Sequence, residues 1–146
     1  MVQPQSIVRL AVAVAILFGV LFLVLTRSSR QQADRRALRA HAYPEFMNAM
    51  QTFIAIALAE RGSTSRSHAA QEQTREHLLG LDGVASEEAL TAADRWWQAG
   101  GEMIAARAAY DLAGDDDGAL AWSEARAAER DAREDFGRIV ASEIGG

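Results

Sequence analysis

The residues from Leu10 to Leu25 constrain this chain more than any others. They read LAVAVAILFGVLFLVL, sixteen in a row without a charge or a strong hydrogen-bonding side chain. Counted from Ile7 across Arg9 to Leu25, the stretch has nineteen residues. A bilayer core takes about 20 mostly apolar residues as a helix, with a usable range of roughly 17–25. Arg9 sits near the end, where a long side chain reaches back to the headgroups. The reading is one transmembrane helix over residues 6–26, with Ile7, Leu10 and Leu25 in the span.

A cleaved signal peptide is the competing assignment. Its apolar core is about 7–15 residues long, behind a basic end and before a small-residue cleavage site. Here the core is longer and no basic side chain precedes Arg9. The exit, Val24-Leu25-Thr26-Arg27-Ser28-Ser29-Arg30, has no Ala-x-Ala pattern. Length and flanks therefore favour an uncleaved span. A lipoprotein is ruled out because there is no cysteine to carry the lipid. The same lack removes disulfides and thiolate chemistry.

Charge then divides the rest. Arg27, Arg30, Arg35, Arg36 and Arg39 face a single acid, Asp34, for a net of +4. From Asp82 to Gly146 fifteen acids outnumber six arginines, for a net of −9. A juxtamembrane basic collar is drawn to anionic lipid on the cytoplasmic side. The expectation is an outside amino terminus and a cytoplasmic domain, with a periplasmic domain as the alternative. The acidic distal part argues against nucleic acid, whose phosphates need positive surface. Every basic side chain is arginine, so lysine-dependent Schiff-base and P-loop chemistries are absent. The arginine and alanine bias fits a GC-rich genome.

Periodicity predicts an all-α chain: one N-terminal transmembrane helix, then a small antiparallel helical bundle of three to four helices with a long C-terminal hairpin. The expected divisions are 1–26 for the span and its tail, 27–43 for a basic helical extension, and 44–146 for the bundle. Within the span, Ala11, Ala15 and Gly19 recur every four residues, a possible close-packing face, although small residues are common in such helices. Pro44 is expected to end the first helix and open the next, since the residue before a proline is pushed out of the α region.

The second helix, about Pro44 to Arg61, carries Phe46, Met47, Met50, Phe53, Ile54, Ala57 and Leu58 on one face. Arg61 and Gly62 suit its end, a cation and a C′ glycine. A third helix, about Ser67 to Leu79, is poor in apolar residues and expected to be marginal. Ser86 with Glu87 and Glu88 suits the start of a fourth. Its stripe is Leu90, Ala93, Trp97, Gly101, Ile104, Ala108 and Leu112, with Met103 nearby, and is interrupted by Gly100-Gly101, which calls for a kink or close packing. A fifth, about Asp117 to Ser142, carries Ala121, Ala125, Ala128, Ala132, Phe136, Ile139 and Val140.

No constellation for chemistry stands out. His68, Glu72 and Glu76 share a helical face, but neither the Glu-x-x-His pairs of di-iron bundles nor His-Glu-x-x-His occurs. Asp115-Asp116-Asp117-Gly118 lacks the alternation of a calcium loop and reads as a helix cap. No metal or cofactor is expected. Trp97 joins the stripe and Trp122 follows it. Trp96 has no place there and is held as a candidate ligand or partner contact. Leu58-Ala59-Glu60-Arg61-Gly62 resembles the Leu-x-Glu-Arg-Gly segment of some bacterial nitrate-sensing-type helical receptor domains, which also follow a first membrane helix. The match covers five residues, which a plain helix C-cap explains, and the family's second membrane helix and signalling output are missing. The family is not assigned. The expected function is that of a membrane-anchored, non-enzymatic interaction module, accessory subunit or assembly factor. Membrane lipid and a protein partner or second copy are its expected partners. A periplasmic small-ligand sensor is the alternative.

Overall fold

The computed structural model describes residues 4–61 and 64–145, with side chains in the first helix placed from residue 14 onward. Every element among the described residues is a helix: α1 (Pro4–Ala59), α2 (Ser65–Gly80), α3 (Glu87–Ala113) and α4 (Asp116–Ile144). The chain divides into two compact units, Met1–Ala37 and Leu38–Gly146.

The first unit contains the apolar run. From Val14 to Leu25 every large apolar side chain is exposed, Leu17 at 71% and Val14, the least, at 47%. By length and composition α1 is able to cross a membrane. Gly19 has open space where a Cβ would stand. Ile7, Leu10 and Ala11 have side chains outside the described residues.

The second unit has a core of its own. Tyr43, Phe46, Met50, Phe53 and Ala57 of α1 meet Ala89, Ala92, Ala93, Trp96 and Ala99 of α3 and Ala132, Phe136, Ile139 and Val140 of α4. Four rings form its centre. Phe46 stands edge-on to Trp96 (centroids 5.7 Å apart) and to Phe136 (5.4 Å), and Tyr43 is edge-on to Phe136 (5.9 Å). Such pairs contribute about 0.5–1.5 kcal/mol each beyond area burial.

Pro44 corrects the expected boundary. It lies inside α1, which continues to Ala59. A proline in a helix interior loses one hydrogen bond and costs about 3 kcal/mol. Its neighbours Tyr43 and Phe46 are fully buried. Each large apolar side chain buried contributes about 1.5–3 kcal/mol, so packing outweighs the break.

α2 is better anchored than its composition suggested. Thr64 and Ser67 form a reciprocal capping box at its start. Fully buried Thr74 donates its hydroxyl to Ala70 O (2.8 Å) and to Ala49 O on α1 (3.0 Å). α3 begins at the expected N-cap, where Ser86 Oγ accepts from Ala89 N. It ends at Gly114, whose φ of 61° suits glycine. Asp115 then caps α4 by accepting from Gly118 N. α3 and α4 form an antiparallel hairpin: Arg95 pairs with Asp135, Trp96 bonds Glu129 and Arg107 lies over Trp122.

The stripe expected on α3 is off by about one residue. Buried are Ala89, Ala92, Ala93, Trp96, Ala99, Gly100 and Met103, while Leu112 is 90% exposed. Gly100 is the close-packing glycine: a Cβ there would collide with Met50 Cε and lie 3.3 Å from Ile54 Cδ1. Gly101 faces open space. On α4, Ala132, Phe136, Ile139 and Val140 are buried as expected, but Ala121 and Ala128 are exposed.

Candidate functional site: polar anchors, a slot and an exposed hairpin tip

Trp96 needs correction first. Its ring is fully buried, and its Nε1 donates to Glu129 Oε1 over 2.8 Å. Glu129 is itself 6% exposed. This pair belongs to the core, and the ring offers no surface to a ligand or partner. Glu129 stands i, i+4 to Arg133 and reads in the sequence as part of the outer face of the expected fifth helix, so nothing local marks it as the acceptor that the buried indole N–H needs.

A second anchor is assembled from three parts of the chain. Glu143 near the end of α4 accepts from the Tyr43 hydroxyl of α1 and from the Ser86 hydroxyl at the start of α3. Arg39 of α1 lies 3.5 Å from Glu143 Oε2 and donates its Nε to Val84 O over 2.8 Å. Burial, reinforced by the Glu143 carboxylate, pushes the Tyr43 phenol up to about 12. The hydroxyl is thus held as a donor, and this knot is structural. It also removes Arg39 from the basic collar. Arg27, Arg30, Arg35 and Arg36 remain exposed.

Near the end of α1 a slot of about 260 Å³ opens between α1, α2 and α3. Phe53, Ala57, Leu58 and Ile104 supply apolar walls, with Arg61 and Arg107 at the polar side. Arg61 has a φ of 46°, the one non-glycine positive value among the described residues. The left-handed turn thus falls on Arg61 rather than on the expected C′ glycine, Gly62, which lies outside the described residues. Arg107 is engaged elsewhere, bonding Asp111 (2.9 Å) and lying 5.3 Å from the Trp122 ring, which Arg126 also faces at 5.5 Å.

The tip of the hairpin exposes two leucines beside the acidic turn Asp115-Asp116-Asp117. Leu112 is 90% and Leu120 59% exposed, on either side of the turn at Gly114 and Asp115. The helical face of His68, Glu72 and Glu76 gathers no ligand set, and no group of three metal-ligating side chains occurs among the described residues. Glu45 instead lies between His41 (3.2 Å) and His77 (3.9 Å), linking α1 to α2, a grouping that sequence spacing did not reveal.

No family model, no curated protein and no solved structure matches the chain.

Proposed function

We propose that this is a single-pass membrane protein whose helical bundle acts without catalysis, as an interaction module, accessory subunit or assembly factor beside the bilayer. The observation that carries the reading is the contrast between the two units. Val14 to Leu25 leaves its apolar side chains exposed, while Leu38–Gly146 buries an aromatic core of its own. The exposed run is not needed to complete that core, and lipid is the environment that suits it. The partner-facing surface is assigned to the hairpin tip, where Leu112 and Leu120 expose large apolar side chains beside an acidic turn. The arginine collar favours a cytoplasmic bundle.

Affinity purification of the full chain in mild detergent tests this. A partner protein should be recovered reproducibly, and Leu112→Asp with Leu120→Asp should abolish its recovery while the melting temperature stays within a few degrees. Recovery unaffected by the two substitutions removes the tip assignment, and the absence of any reproducible partner contradicts the interaction reading.

The slot supports a second reading, a small-ligand sensor with its bundle on the periplasmic side, because apolar walls beside arginines suit a small amphipathic molecule. Protease cleavage of the bundle from outside in right-side-out vesicles would favour that reading over the first.

A further inference from the structure

Arg27, Arg30, Arg35 and Arg36 follow the apolar run on α1 and are all exposed. None has an ion-pair, hydrogen-bond or ring partner among the described residues, and neither does Asp34, the one acid in their midst. Arg39, the fifth basic residue of the stretch, is occupied by Val84 O and Glu143. The stretch therefore holds four uncompensated guanidiniums and one that the fold has taken.

We propose that Arg27, Arg30, Arg35 and Arg36 form a headgroup-binding collar that selects anionic phospholipids around α1, and that Arg39 has no part in it. The inference rests on the reading of Val14–Leu25 as a span. A helix rises 1.5 Å per residue, so Arg27 and Arg30 stand about 3 and 8 Å beyond Leu25, and Arg35 and Arg36 about 15 and 17 Å beyond it. Screening in physiological salt acts over about 8 Å. Arg27 and Arg30 lie inside that distance, and the long side chains of Arg35 and Arg36 recover part of theirs by reaching back. Guanidinium forks match phosphate oxygens in pairs and stay charged at any physiological pH. The rival occupant is the acidic C-terminal half of a second copy, but headgroups are the anionic groups that necessarily lie beside the end of a span.

The test reconstitutes the full chain in phosphatidylcholine vesicles with a minor fraction of phosphatidylglycerol. The bilayer is excised around the protein with a styrene–maleic acid polymer and the retained lipids are counted. Phosphatidylglycerol should be enriched about threefold or more over the bulk and should lose that enrichment at high salt. Arg27→Gln with Arg30→Gln should remove most of it, and Arg35→Gln with Arg36→Gln a smaller share. Arg39→Gln should leave the enrichment intact and lower the melting temperature. Wild-type protein without enrichment overturns the proposal. So does Arg39→Gln depleting the anionic lipid as much as the Arg27 and Arg30 pair, or enrichment replaced by self-association through the acidic half. Flotation with pure phosphatidylcholine vesicles keeps the two readings apart: a chain that integrates there without later lipid selection defeats the collar alone, and a chain that never integrates defeats the span and the collar together.

Discussion

Among the described residues, Glu129 and Trp96 are each the other's only side-chain hydrogen-bond partner. Glu129→Leu would strand the Trp96 N–H where water does not reach, at a cost of about 1–3 kcal/mol. Glu129→Gln keeps an acceptor and should cost less than about 1 kcal/mol in the same denaturant titration. Tyr43 gives a pH signature. Its phenol is raised from 10.0 to about 12, so the folded form holds the proton more tightly than the unfolded chain. The Tyr43 contribution to stability is complete below pH 10 and is lost as pH rises toward about 12. With no lysine or cysteine in the chain, few other side chains titrate in that window. Chemical denaturation across it should show stability falling, and Tyr43→Phe should flatten the fall.

At the scale of elements, adjacent glycines on α3 should respond differently. Gly100→Ala gains helix propensity but must displace the Met50 Cε methyl and crowd Ile54, so it should be less stable than Gly101→Ala by about 1–3 kcal/mol. Gly101→Ala meets nothing within 4 Å and should gain about 1 kcal/mol of helix propensity, read from paired thermal melts. Pro44→Ala restores a backbone donor inside α1 and should stabilise the second unit by about 1–3 kcal/mol.

These same places mark what was legible in the sequence. The helices after Gly62 were visible because caps such as Ser86 and Asp115 and the turn at Gly114 are local chemistry. The buried face of α3 was not, because Ala89, Ala92 and Ala99 differ in no intrinsic way from the exposed Ala105, Ala108 and Ala109. Only the rings from α1 and α4 decide which alanines are covered. The continuity of α1 through Pro44 was hidden for a related reason: local rules priced the proline correctly but could not see Tyr43 and Phe46 meeting Phe136. Of the candidate residues, the exposed collar arginines could be foreseen from composition. The capture of Arg39 by Glu143 and the burial of Trp96 against Glu129 depend on pairings about a hundred and about thirty residues apart in sequence, which no local pattern encodes.

For the whole molecule, everything said about location and partners follows from where the apolar run resides. The most direct measurement is alkaline extraction and density flotation of membranes from cells making the chain, with the mass of the recovered protein determined intact. The account predicts full-length protein in the floating membrane fraction and none in the aqueous one, whereas an engineered truncation lacking residues 1–26, made in separate cells, should move to the aqueous fraction. Native protein recovered from the aqueous fraction without its first thirty or so residues, as signal cleavage would leave it, would contradict the account.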